Sequence, residues 1–138
     1  MIAYLDSSVL LRVILGEIDR LDEWDRIDRG IASVLVEVEC LRTLDRLRLQ
    51  RALIGDKYEA LRSAVFDLLE RVELIEITRP VLSRAALSMP TPLGTLDAIH
   101  LATALTWQDF NEDKIVLATH DKALASAARA SGVRTVGC

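Results

Sequence analysis

Aromatic side chains are scarce: Trp, Tyr and Phe together make up 4% of the 138 residues. A core without them must be built from Leu, Val, Ile and Ala, and a hydrophobic content of 51% provides for one. Cysteine is rarer still. Cys40 and Cys138 are the two, and neither stands in a CxxC pair or at zinc-ligand spacing from a histidine. Unpaired thiols are therefore expected rather than a disulfide framework or a zinc site. No apolar run approaches the roughly 20 residues that a membrane-spanning helix requires. The first residues lack a basic stretch, and Asp6 interrupts their apolar run, so they do not read as a signal peptide. A cytoplasmic protein without membrane attachment is expected. Nor is there an excess of positive charge. A net charge of −4 argues against tight, non-specific binding of nucleic acid. A nuclease stays open, because a divalent metal brings positive charge to the place where a phosphate must sit.

What is present is an alternation of short apolar runs with amphipathic stretches, without repeats or low-complexity tracts. The length suits a single domain over residues 1–138, large enough for one core. Ile2–Leu5 reads as a central strand, with Ser7 and Ser8 as caps for a short helix ending at Gly16. Asp19–Arg29 carries Leu21, Trp24 and Ile27 in a narrow stripe and predicts a surface helix. A short strand at Ile31–Ser33 is followed by a helix over Val34–Leu49 with Val34, Val38 and Leu41 on its apolar side. Asp56–Arg71 is a further amphipathic helix, and Glu73–Ile77 alternates as an edge strand does. Pro80 opens a helix to about Ser88. Two prolines and a glycine make Met89–Gly94 a loop that delivers Thr95 as the cap of a helix over Leu96–Trp107. Lys114–Ala118 reads as a buried strand, Lys122–Ser131 as a helix ended by Gly132, and Val133–Val136 as a last strand. The fold class is α/β with a mainly parallel sheet.

Four acids fall where strands give way to helices: Asp6 in IAYLDSS, Glu39 in SVLVEVECLR, Asp97 in GTLDAIHLATAL and Asp121 in VLATHDKAL. In an open parallel sheet, strand C-termini and helix N-termini share one edge, where ligands bind. Acids distant in sequence can converge there, and convergent carboxylates need protons or a cation to coexist. The pattern points to a hard-metal site, Mg²⁺ or Mn²⁺. Each acid alone also has a structural explanation. Asp97 and Asp121 favour the positive end of a helix, Asp6 can start a turn through its own oxygen, and Glu39 can pair with Arg42. Taken together they weigh the other way, because Asp6 and Asp97 lie in apolar surroundings, where an unpartnered charge is costly.

Glu37 and Glu39 point about 200° apart on a helix, so only one of them can face the site. Glu39, Arg42 and Arg46 share a stripe at i, i+3 and i+7, which would line a phosphate path or form a salt-bridged face. His100 follows Asp97 by one turn and His120 precedes Asp121. A ligand or base is conceivable at either, but a satisfied core histidine is the ordinary finding. Ser8 and Thr119 stand two positions from an acid and can orient a carboxylate, or can simply cap helices.

YLDSSVLLR, SVLVEVECLR, TLDAIHLATAL and ATHDKALASAARASGV, in this order, resemble the PIN domain, and more narrowly the VapC-type toxins of bacterial toxin–antitoxin pairs. The likeness runs from Ile2 to Val136, with little contribution from the segments between Gly16 and Gly30 and between Ala52 and Pro92. The resemblance implies a three-layer α/β/α fold with a sheet of about five strands. It also implies a Mg²⁺- or Mn²⁺-dependent endoribonuclease that forms a homodimer and is silenced by a cognate antitoxin. By the same motifs the acids of the site are Asp6, Glu39, Asp97 and Asp121, with Ser8 and Thr119 in support. Arg42 and Arg46 are candidates for contact with RNA or antitoxin. A catalytically silent interaction module on the same fold remains an alternative. A phosphotransfer receiver is a weaker one, since no strand in mid-chain ends in Asp.

Overall fold

The computed structural model describes residues 1–138. Five strands, β1 (Ile2–Leu5), β2 (Arg29–Ser33), β3 (Glu73–Ile75), β4 (Val116–Ala118) and β5 (Arg134–Val136), form one sheet. Their order is β3-β2-β1-β4-β5, and every pair is parallel. The chain therefore winds outward from β1 to β3 on one side, then returns beside β1 as β4 and winds outward to β5. The reversal lies between β1 and β4, which is where ligands enter sheets of this kind.

Side chains alternate across the strands and so build two cores. Ala3, Leu5, Ala32 and Ala118 face α1 (Ser7–Ile14), α2 (Leu35–Leu49) and α3 (Asp56–Leu69). Tyr4, Ile31 and Leu117 face α5 (Thr95–Asn111) and α6 (Lys122–Ala130). The short α4 (Arg79–Ala85) packs on α5 and is tied to it by Arg84 and Asp109 at 2.7 Å. Helices thus cover both faces, the three-layer arrangement expected of the sequence.

Several local expectations are corrected. Asp19–Arg29 is not a helix: Trp24–Arg26 is a single 3₁₀ turn, and β2 already begins at Arg29. Leu21, Trp24 and Ile27 recur every third residue, which suits the three-residue 3₁₀ turn and drifts off an α-helical face. On α2 the buried stripe is Val36, Cys40 and Leu44, at strict four-residue spacing, and Val38 is exposed. Thr95 lies inside α5 rather than capping it, since Gly94 holds the cap position without a side-chain bond. The cap of α1 is Asp6 itself, not Ser7 or Ser8.

Candidate active site

Asp6 follows β1 directly, and its backbone N–H continues the sheet by donating to the Ala118 carbonyl at 3.1 Å. The residue is only 4% exposed, so its carboxylate requires internal partners. Oδ1 accepts the Ser7 N–H at 2.8 Å. Oδ2 accepts two hydroxyls, Ser8 Oγ at 2.6 Å and Thr119 Oγ1 at 2.8 Å. Each hydroxyl also accepts a backbone N–H from the turn after β4. Ser8 Oγ takes that of His120 at 3.0 Å, and Thr119 Oγ1 that of Asp121 at 2.9 Å. The Asp6 carboxylate is thus held rigid by both turns at the sheet's reversal point.

Asp121 caps α6, its Oδ1 accepting the Leu124 N–H at 2.9 Å. Asp97 stands in the first turn of α5, a helix buried over much of its circumference. Its carboxyl is pushed up to about 6, first by burial, then by the charges of Asp121 and Asp6, with Glu39 adding to them and His100 opposing. A helix N-terminus stabilises a carboxylate by only about 0.3–1 kcal/mol, and here burial and like charge outweigh it. Asp97 therefore shares a field with the other three acids. No three His, Cys, Asp or Glu side chains are closed on a single point at coordinating distance.

Glu39 is carried by α2, and its Oε1 meets Nε2 of the wholly buried His100 at 2.6 Å. The other ring nitrogen, Nδ1, meets the Tyr4 hydroxyl at 2.8 Å. Burial disfavours a charged imidazole here, but the Glu39 hydrogen bond and charge, with Asp6 and Asp97 behind them, raise its pKa. The Tyr4 hydroxyl is pushed up mainly by burial. His100 is a satisfied buried histidine, as is usual, but one of its partners is a candidate site acid.

The two arginines fare differently from the acids. Arg42 pairs with Asp45 at 3.0 Å rather than with Glu39. Arg46 is exposed one turn further along α2. His120 turns its Nδ1 to the Gly137 carbonyl at 3.0 Å, away from the acids. Sequence reasoning missed the link from Tyr4 through His100 to Glu39. Its signals were present: Tyr4 shares a strand face with position 6 by two-residue spacing, and His100 follows Asp97 at i+3 on α5.

Comparison with known proteins bears on this edge. The sequence matches the PIN domain family over residues 3–130. It is 34% identical to Ribonuclease VapC46 of Mycobacterium tuberculosis, over 96% of this chain and 95% of that one. It is 38% identical to Ribonuclease VapC35 of the same species, over 96% and 94%. Among solved structures, FitAB bound to a DNA fragment superposes with a TM-score of 0.74 at 18% identity, covering 98% of this chain and 93% of that chain. VapBC-5 of Mycobacterium tuberculosis, a toxin–antitoxin system, gives 0.63 at 19% identity, covering 99% and 98%. At such identities the structural likeness speaks for the fold.

Proposed function

The chain belongs to the PIN domain family, and on that premise we propose that it is a divalent-metal-dependent endoribonuclease, the toxin of a toxin–antitoxin pair. PIN-domain ribonucleases in general depend on a divalent metal. The observation that carries the reading here is the state of Asp97: half-buried and raised to about 6 by burial and by the charges of Asp121, Asp6 and Glu39. A divalent cation would offset that repulsion, and an all-oxygen donor set suits Mg²⁺ or Mn²⁺.

Asp6, Asp97 and Asp121 would hold the ion, with Glu39 reaching it directly or through water. When bound, it would polarise the scissile phosphate and lower the pKa of the attacking water. The protein's own contribution is orientation. Ser8 and Thr119 hold the Asp6 carboxylate from the segments after β1 and β4 at once. Asp121 is fixed through the cap of α6. With water as nucleophile, no ribose 2′-hydroxyl and no catalytic histidine is needed, and both nitrogens of His100 are already engaged. Arg46, exposed on α2, is available to an RNA backbone or to a partner protein. Similar folds in solved complexes are toxin–antitoxin assemblies, which supports a cognate antitoxin as the regulator; a homodimeric toxin rests on the resemblance alone. No helix is long and apolar enough to cross a membrane.

The test is cleavage of a mixed cellular RNA pool by the partner-free protein, with Mg²⁺ or Mn²⁺ and with chelator, beside Asp97→Asn. Metal-dependent cutting that the variant loses, leaving 5′-phosphate and 3′-hydroxyl ends, is the expected result. Ends bearing a 2′,3′-cyclic phosphate would exclude the water mechanism. No cutting under any condition would favour the silent interaction module.

A further inference from the structure

We propose that His100, anchored by the buried Tyr4 hydroxyl, is a positioning residue that fixes the Glu39 carboxylate for the cation. The proposal rests on the metal-site reading above and adds two residues to it. Tyr4 and His100 are both fully buried, and a buried ring of this polarity is stable only with its polar atoms partnered. The Tyr4 oxygen accepts the Ser33 N–H at 3.2 Å, and its hydroxyl lies 2.8 Å from His100 Nδ1. With the hydroxyl proton given to Nδ1, the imidazole proton resides on Nε2, which donates to Glu39 Oε1 at 2.6 Å. An ionised carboxylate can only accept, so Nε2 is the donor whichever charge the ring carries.

The geometry restrains Glu39 in a way its own helix does not. The buried stripe of α2 runs through Val36, Cys40 and Leu44, so the Glu39 side chain leaves from beside that stripe and is 21% exposed. Without an internal partner, its three side-chain torsions would sample solvent-facing rotamers. The imidazole removes that freedom because it is itself clamped at both nitrogens, on one side by a residue of the central strand. Its Nε2 also stands 3.9 Å from Asp6 Oδ1, too far for a hydrogen bond but close enough to bring the Glu39 and Asp6 carboxylates to one place. Oε1 of Glu39 is thereby committed to the protein, and Oε2 keeps no protein partner, which makes Oε2 the oxygen offered to an ion. Tyr4, His100 and Glu39 together tie β1, α5 and α2, which carry or adjoin three of the four acids.

A merely structural Tyr–His pair would affect stability, with an effect independent of Glu39. A positioning pair must act through Glu39. Mn²⁺ binding to the partner-free protein, measured by calorimetry and by the electron-spin signal of the free ion, separates the two. His100→Leu should weaken Mn²⁺ binding roughly tenfold or more, the usual scale for residues that orient a ligand. His100→Gln, which can present an amide N–H near the place of Nε2, should recover most of that loss. Glu39→Gln should weaken binding comparably, and His100→Leu should then add little in the Glu39→Gln background. Tight Mn²⁺ binding by folded His100→Leu, or an undiminished further loss in the double variant, would overturn the proposal and leave the metal site standing. Failure of the wild type to bind Mn²⁺ would overturn both. Should His100→Leu not fold, Tyr4→Phe decides: binding weakened severalfold is expected, and binding equal to wild type refutes the anchor.

Discussion

At the scale of single residues, the sign of one titration separates a functional acid from a structural one. Asp97 has its pKa raised from 3.8 to about 6, so the native state holds that proton more tightly than the unfolded chain does. Metal-free stability therefore falls as pH rises from about 4 to 6, and the penalty is fully present at neutrality. Asp97→Asn should be more stable than wild type at pH 7 in chelator, by about 1 kcal/mol after solvent screening of a half-exposed group. The advantage should vanish near pH 4, as urea melts at the two pH values would show. An acid kept only to favour a helix N-terminus predicts the reverse, a loss on substitution. Thr119 supplies the opposite case. Its hydroxyl donates to Asp6 and accepts from Asp121 N, so Thr119→Val leaves a buried acceptor and a donor without their partners. A loss of about 1–3 kcal/mol is expected, read in the same melts. Asp6 and Asp121, with Ser8 and Thr119, were legible because they stand at strand-to-helix turns. Asp97 instead opens α5 after a loop from α4, and Glu39 lies beyond the first turn of α2, so the expectation that all four acids follow strands is corrected for these two. Tyr4 was not, because an aromatic in an apolar run looks like core until the histidine opposite it is known.

At the scale of elements, legibility followed periodicity. Strands β1 and β4 and helices α3, α5 and α6 have runs long or apolar enough for their period to be read, and they lie within a few residues of where the sequence puts them. The expectation failed at Asp19–Arg29, where three apolar residues at three-residue intervals suit a 3₁₀ turn as well as a helix. It failed again at helix starts, because Ser7, Ser8 and Thr95 are all credible caps by composition. Asp6 wins at α1 because its carboxylate is already turned into the Ser7 N–H by the hydroxyls around it. Asp121 combines the same two roles at α6, capping the helix through Oδ1 while adding its charge to the field on Asp97. The roles can be separated. Asn caps about as well as Asp and lifts one of the charges pressing on Asp97, so Asp121→Asn should melt at or above wild type in chelator at pH 7 yet bind Mn²⁺ more weakly. Asp121→Ala should lose the cap as well, at a cost of about 1 kcal/mol. Equal melting of the two variants would mean that the cap contributes nothing and that the charge alone matters at this position.

For the whole molecule, the parallel order β3-β2-β1-β4-β5 decides where chemistry is possible. The reversal falls between β1 and β4, the place where parallel sheets bind ligands at their C-terminal edge. The candidate acids come to it from four separate stretches of chain: Asp6 after β1, Glu39 on α2, Asp97 on α5 and Asp121 before α6. Short-range pattern could nominate each stretch. The order of the strands, which brings them together, depends on long-range pairing that no local period encodes. A chain of net charge −4 that gathers carboxylates at one edge carries a repulsive penalty in the folded state that the unfolded chain escapes. A divalent ion that binds only the folded form reverses that penalty by mass action, about 2.7 kcal/mol at a hundredfold excess over its dissociation constant. For a chain of 138 residues this corresponds to a rise of several degrees in Tm. Millimolar Mn²⁺ should therefore raise the wild-type Tm at pH 7, raise it less at pH 5 where Asp97 holds its proton, and raise it little in Asp97→Asn. A Tm indifferent to Mn²⁺ at both pH values would mean that the acids meet at this edge without forming a cation site.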